Sequence, residues 1–137
     1  MDLTLQRPGN HLHIRAVTDD GIRIGDDWYA GPLIISAGTV VAHWPAVRVE
    51  DLDETVLGPV FELQPEIVLL GTGARQVFPA AHVMMFFHAR GIGVEVMATR
   101  AACRTFNVLV AEGRRVVAAL MPLAGEGPLQ SMQGSSP

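Results

Sequence analysis

The chain has 137 residues, 49% of them hydrophobic and 18% charged, so it fits one domain whose core needs neither disulfides nor metal. That charged fraction lies below the usual ~25%, which favours a large core or an apolar surface patch for a partner. The net charge is −4, and all ten basic residues are arginines that form no basic stripe. These features exclude the electrostatic footprint of nucleic-acid binding.

Targeting and redox features favour a cytoplasmic protein. No basic N-terminal segment leads into an apolar one, and no apolar run approaches the ~20 residues that span a bilayer. The single cysteine, Cys103, excludes an internal disulfide and favours a reducing compartment. We therefore expect a cytoplasmic location without membrane insertion.

The first third of the chain is predicted to be β structure. Residues 11–17 alternate in polarity, and Asp19-Asp20-Gly21 indicates a hairpin. Four further short apolar segments are separated by turn residues: 22–24, 28–30, 33–35 and 40–44. This pattern predicts an antiparallel meander with one solvated face. Asp51 and Glu54 then resemble a capping box for a short helix that Gly58-Pro59 ends.

Strands and helices alternate from residue 65 onward. The predicted order is a buried strand at 67–70, a helix at 79–89, a strand at 93–97, a helix from an N-capping Thr99 to about Glu112, and a strand at 116–121. Such alternation is typical of parallel strands joined by right-handed crossovers. We expect a single α/β domain over 1–123, with a disordered tail over 124–137 because that segment is rich in Gly, Pro, Ser and Gln.

An ordered series of segments resembles a known family. The segments are PEIVLLGTG at 65–73, FP at 78–79, GIGVEVMAT at 91–99, AACRTFNVL at 101–109 and EGRR at 112–115. Together they resemble a domain-of-unknown-function family of small bacterial and archaeal proteins, whose mitochondrial member is assembly factor three of respiratory complex I. The resemblance is dense over residues 65–121 and looser over the strand-rich start.

The resemblance implies a fold and, by analogy, a role. The implied fold has three layers, with a mixed central sheet, C-terminal β-α-β-α-β crossovers and an N-terminal antiparallel β layer. The mitochondrial relative helps to assemble a membrane enzyme complex, which makes a protein partner the expectation here by analogy alone. The resemblance carries no catalytic residue over to this chain.

The turn Gly71-Thr72-Gly73 is the first candidate site. It follows a buried strand, at the sheet edge where α/β folds commonly bind ligands, and its glycines allow an anion to approach the backbone. Its spacing matches neither the dinucleotide pattern nor the P-loop. A tight strand exit that needs flexible residues explains the same turn.

Arg104 is the second candidate, together with Thr105 and Asn107. If the two strand exits are adjacent, these residues and Thr72 form one polar patch, and an arginine fork suits a carboxylate or a phosphate. An ordinary surface salt bridge from Arg104 to an acid such as Glu95 is the alternative.

Cys103 is a candidate reactive thiol, because the start of a helix stabilises a thiolate when the sulfur is exposed. The alternative is a small buried hydrophobe, since its neighbours are apolar. We predict no metal site and no cofactor, because His82 and His88 lie on different helix faces and His11 and His13 form at most half a site.

Two functions remain open from the sequence. The first is a non-enzymatic interaction or assembly-factor-like module with a protein partner. It is favoured by the resemblance, by the absence of a catalytic constellation, and by the apolar run 84–87, which encircles a helix and suits a partner or self-association. The alternative is a small anionic-ligand protein or enzyme with its site at Gly71-Thr72-Gly73 and Arg104.

Overall fold

The computed structural model describes residues 11–123 of the chain. The strands are β1 Ile14–Thr18, β2 Gly21–Ile24, β3 Asp27–Tyr29, β4 Leu33–Ile35, β5 Val40–Ala42, β6 Ile67–Thr72, β7 Gly93–Met97 and β8 Val116–Met121. The helices are a 3-10 turn at Val49–Asp51, α1 Gly58–Glu62, α2 Ala81–His88 and α3 Thr99–Ala111. The tail over 124–137, for which we predict disorder, lies outside the described residues.

The strands form two sheets. A small antiparallel sheet has the order β1-β2-β3, and a five-stranded sheet has the order β5-β4-β8-β6-β7. In the larger sheet β6 is parallel to β7 and β8, whereas β4 is antiparallel to β5 and β8. The mixed central sheet and the crossovers β6-α2-β7 and β7-α3-β8 are therefore confirmed.

The prediction of one antiparallel meander through residue 44 is wrong in extent. Only β1, β2 and β3 form the separate antiparallel layer, and β4 and β5 extend the central sheet. The physical reason is burial, because all three residues of β4 are fully buried and so cover no solvated face. A strand buried on both faces belongs in the middle of a sheet, between layers.

Two apolar cores hold three layers together. Along β8, Val116, Ala118 and Leu120 pack beneath α3 and the small sheet, within a core centred on Phe106. The alternate residues of β8 face a second core that contains Trp44 and Phe87, and the covering layer there consists of α2 and the segment 44–62. The period-2 alternation of a strand places successive side chains in different cores.

The helix predicted between Asp51 and Gly58 is wrong. The chain makes a 3-10 turn at Val49–Asp51, and α1 begins at Gly58, where the prediction ended a helix. Pro59 lies in the first turn of α1, a position at which its missing N–H is not needed. The Asp51 carboxylate instead accepts hydrogen bonds from the N–H groups of Val47 and Arg48 at 3.0 and 3.1 Å.

The later helices match the predictions with shifted starts. Helix α2 begins at Ala81 rather than at Pro79, and within it Val83 and Phe87 are buried while Met85 is exposed. Helix α3 begins at Thr99, so Ala98 rather than Thr99 occupies the cap position. The Thr99 hydroxyl is used elsewhere, at the exit of β6.

Candidate functional site

Strand β1 lies at the edge of the small sheet, and α3 covers its free side. The Asn107 side chain accepts the N–H of Ile14 through Oδ1 and donates from Nδ2 to the Ile14 carbonyl, both at 2.8 Å. Arg100 donates from Nη1 to the Val17 carbonyl at 2.8 Å. These side chains replace the neighbouring strand that an exposed edge would otherwise pair with.

A solvent-open groove of about 180 Å³ lies between β1 and α3. It is lined by residues 14–17 and, from α3, by Arg100, Cys103, Arg104 and Asn107. Three of these eight residues are arginines, because Arg15 lies within 14–17, and none is acidic. The groove is therefore a local concentration of positive charge in a chain whose net charge is −4.

Two of the groove arginines lack the acidic partners that several arginines elsewhere have. Within residues 11–123, neither Arg15 nor Arg104 makes a hydrogen bond or ion pair, whereas Arg100 is held by the Val17 carbonyl. Outside the groove, three arginines pair with acids: Arg23 with Asp26, Arg90 with Glu54 and Arg114 with Glu66. Two guanidinium groups of the groove are thus available to an external anion.

The Gly71-Thr72-Gly73 turn lies at the carboxyl end of β6, and its polar groups are already bonded. The Thr99 hydroxyl accepts the Gly73 N–H at 2.8 Å and donates to the Met121 carbonyl at 2.7 Å. The Thr99 N–H donates to the Gly73 carbonyl at 2.8 Å. This buried threonine therefore joins the ends of β6 and β8 to the start of α3.

Gly71 is required by close packing. A Cβ at this position would lie 3.0 Å from the Thr99 Cα and 3.0 Å from its Oγ1, so tight a contact that α3 would have to shift away from the sheet. The φ angle of Gly73 is +96°, a conformation that side-chain-bearing residues rarely adopt. The glycines thus serve the approach of α3 to the sheet, which is the structural explanation that the sequence offered for them.

The structure divides the sequence-predicted ligand residues between two places. Arg104 and Asn107 line the β1–α3 groove, whereas Thr72 and Thr105 do not. The Thr72 hydroxyl donates to the Arg75 carbonyl at 2.6 Å and accepts the Val77 N–H at 3.0 Å, which closes a local loop. The single polar patch that would combine Thr72 with Arg104 is therefore not assembled in one groove.

Cys103 lies at the floor of the groove and is buried, with 2% of its surface exposed. Burial raises the pKa of the Cys103 thiol to about 12, although Arg100 and Arg104 act in the opposite direction. The thiol is therefore protonated at neutral pH. Because the thiolate is the nucleophile, this environment opposes a reactive-thiol role.

Sequence reasoning missed Arg15, Arg100 and the joining role of Thr99. The spacing of Arg100, Arg104 and Asn107, at i, i+4 and i+7, was a usable signal, because it places three polar side chains on one helix face. Nothing local indicated that this face meets β1. The register of β1 shifts between Ile14 and Ala16, and Arg15 lies exposed at this irregularity.

A second surface is the exposed loop 74–78 that leads into α2. Phe78 is 65% exposed, yet Pro79 beside it is buried. Gln76 donates from Nε2 to the Val96 carbonyl at 2.9 Å, and the Thr72 hydroxyl bonds Arg75 and Val77. The loop therefore holds an exposed aromatic side chain in a defined position.

Residues 11–123 contain no group of three or more His, Cys, Asp and Glu side chains that could hold a metal ion. Over the same part of the chain, no helix combines the length and the apolar character that crossing a membrane requires.

Residues 14–121 match the family described as a protein of unknown function, DUF498/DUF598. The chain belongs to this family. It is 35% identical over 127 residues to a mouse protein named NADH dehydrogenase (ubiquinone) 1 alpha subcomplex assembly factor 3, covering 91% of this chain and 68% of that protein. It is also 33% identical over 96 residues to the 13 kDa major membrane protein of Francisella tularensis, covering 69% of this chain and 76% of the relative.

Solved structures of similar proteins share the fold. A crystal structure from Bordetella parapertussis is 36% identical with a TM-score of 0.77, over 85% of this chain and 99% of that one. A solution structure from Bordetella pertussis, described as a Mth938-like domain, is 30% identical with a TM-score of 0.74, over 90% and 93%. The fold is thus a Mth938-like mixed α/β fold, and the chain spans about two thirds of the length of the mouse assembly factor.

Proposed function

We propose that this protein is a non-enzymatic, assembly-factor-like module that binds a protein partner. The proposal is supported by the mouse relative, which is named as an assembly factor and is 35% identical over 91% of this chain. It is also supported by the polar groups at the exit of β6, which are bonded to one another. In α/β folds this edge is the usual ligand site, and here its geometry serves packing.

The observation that carries the proposal is the exposure of Phe78. An aromatic side chain that is 65% exposed has a large apolar surface in water, and burying it against a partner is favourable. Because Thr72 and Gln76 fix the loop, little conformational entropy is lost when the partner binds. Exposed aromatic residues in fixed positions are typical anchors of protein interfaces.

A pull-down with the full chain as bait tests the proposal. We expect a defined set of proteins to be enriched by the wild type and lost with Phe78→Ser. Trp28→Ser is the matched control, since Trp28 is an exposed aromatic residue at 52% on β3, in the other outer layer. The Trp28→Ser bait should retain the set.

Two results would contradict the proposal. One is that all three baits enrich the same proteins, and the other is that the wild type behaves as a monomer that enriches nothing. Self-association belongs to the same test, because light scattering of the purified chain reports its mass. A dimer that Phe78→Ser dissociates would identify a second copy as the partner.

The cytoplasmic location stays a prediction and needs its own measurement. The Francisella tularensis relative is named a membrane protein, so an association of this chain with membranes has to be tested as well. Fractionation of cells that express the untagged chain, followed by a salt wash of the membranes, separates the outcomes. Recovery in the soluble fraction supports the prediction, and recovery in salt-washed membranes contradicts it.

A further inference from the structure

We propose that the groove between β1 and α3 is a binding site for a small oxyanion, a phosphate or carboxylate group held by Arg15 and Arg104. This proposal does not depend on a protein partner. It retains Arg104 from the ligand site predicted from the sequence, but Arg15 takes the place of the turn Gly71-Thr72-Gly73. The proposal rests on the residues that line the groove, on its size, and on the fact that residues 11–123 supply no hydrogen bond or ion pair to Arg15 or Arg104.

Within residues 11–123, no acidic side chain lines the groove. Three of its eight lining residues are arginines and none is acidic, although the chain as a whole has 14 acidic and 10 basic residues. Holding like charges close together is unfavourable unless a counter-charge binds. In residues 11–123 no acidic side chain forms an ion pair with Arg15 or Arg104, so both guanidinium groups are open to a counter-charge from outside this part of the chain.

Arg100 contributes to the site in a different way. Its hydrogen bond to the Val17 carbonyl attaches the end of β1 to the start of α3, which fixes the wall of the groove. Asn107 fixes the other end through its two bonds to Ile14. The two unpartnered arginines are therefore presented from elements whose relative position is already set, so the site is preorganised.

The size and the lining of the groove suit a small oxyanion. The open groove has a volume of about 180 Å³, which is enough to admit a phosphate or a short carboxylate. The floor contains Cys103, whose buried thiol is neutral at pH 7 and adds no negative charge. The guanidinium fork suits both oxyanions, because each presents paired oxygen atoms to two N–H donors.

Titration of the isotopically labelled full chain tests the site. Inorganic phosphate and succinate are added separately at low ionic strength, and backbone amide shifts are followed by NMR. We expect saturable shifts concentrated in residues 14–17 and 100–107 with at least one probe, and the stronger probe distinguishes a phosphate site from a carboxylate site. Arg104→Gln and Arg15→Gln should each weaken binding about tenfold, the usual size of one charge-assisted hydrogen bond.

Arg75→Gln is the matched control, because Arg75 is exposed in the loop 74–78 and lies outside the groove. Its affinity should equal that of the wild type. Arg104 makes no hydrogen bond or ion pair within residues 11–123 that its removal would break, and Arg15→Gln provides an independent variant if one of the two fails to fold. The proposal is overturned if neither probe gives saturable shifts, if Arg104→Gln and Arg15→Gln bind as tightly as wild type, or if Arg75→Gln weakens binding equally.

Discussion

Thr99 and Arg104, two polar residues of α3, use their side chains in opposite ways. At the start of the helix, the buried Thr99 hydroxyl bonds both Gly73 and Met121, and the polar groups there are satisfied within the protein. Five residues later, Arg104 has no partner in residues 11–123 and lies in an open groove beside Arg15. One helix therefore shows that bonding inside the fold indicates a structural role, whereas exposed, unpaired charge leaves room for a ligand.

The largest expected effect on stability comes from removing the buried hydroxyl of Thr99. Thr99→Val keeps the shape of the side chain but leaves the Gly73 N–H and the Met121 carbonyl without this partner in a buried position. Each such loss destabilises by about 1–3 kcal/mol, so we expect a decrease of about 2–4 kcal/mol in the free energy of unfolding. Urea denaturation measures it. Thr105→Val is the control and should change stability by less than about 0.5 kcal/mol, because Thr105 is partly exposed.

The next largest effect is a loss of stability at alkaline pH, which arises from the buried thiol of Cys103. The pKa of Cys103 is raised to about 12 in the folded protein, above its unfolded value near 9, so the unfolded chain releases this proton first. Stability is therefore complete below pH 9 and falls by up to ~1.4 kcal/mol per pH unit between 9 and 12. Unfolding measured at pH 8 and pH 10.5 gives the slope.

Cys103→Ala should remove most of that slope while lowering stability at pH 8 by a constant amount. The slope can be assigned to the thiol because the chain has no lysine and one tyrosine, so few other side chains titrate between pH 9 and 12. An unchanged slope in Cys103→Ala would show that the thiol is not the group responsible.

A smaller effect is expected where α3 holds the edge of β1. Asn107→Ala removes both hydrogen bonds to Ile14 and should destabilise by about 1–2 kcal/mol. Hydrogen exchange at the Ile14 amide should accelerate more than exchange in β6. If Ile14 remains protected in Asn107→Ala, the asparagine does not replace a neighbouring strand.

The smallest effect on stability is expected from Arg104→Gln. Because Arg104 has no hydrogen-bond or ion-pair partner in residues 11–123 and shares the groove with two other arginines, its removal should change the free energy of unfolding by less than about 0.5 kcal/mol, with a slight gain at low salt. Arg100→Gln should instead cost about 1 kcal/mol through the lost bond to Val17. If both variants lost the same free energy of unfolding, the hydrogen bond of Arg100 would not distinguish it from Arg104.

The C-terminal half of the fold was predictable because its hydrophobic runs are bounded by Gly and Pro. The strand at 93–97 and the strand at 116–121 have the predicted limits, and the helices shift by two residues or fewer. The pairing of β4 with β8 was not predictable, since alternation reports which face is buried and not which strand lies alongside. The early helix failed because the Asp51 carboxylate caps only the short 3-10 turn that ends at Asp51 itself, and the Asp53 carboxylate closes the next turn.

The candidate groove was predictable only in part, for a similar reason. Arg104 and Asn107 were identified because their residue types suit ligand chemistry, but their relation to Arg15 depends on a contact across about 90 positions of sequence. The irregular register at Ile14 and Ala16 adds a second obstacle. Local patterns specify elements and faces, whereas a groove between two elements depends on how the whole chain folds.

The position of β8 has a consequence for the order in which the protein forms. The last strand is the central strand of the large sheet, with β4 on one side and β6 on the other. During synthesis the two halves of that sheet have no common partner until residues 116–121 are available. Such long-range closure favours slow folding, and a chain that lacks residues 116–121 exposes two unpaired strand edges, which makes chaperone binding most useful before these residues are available.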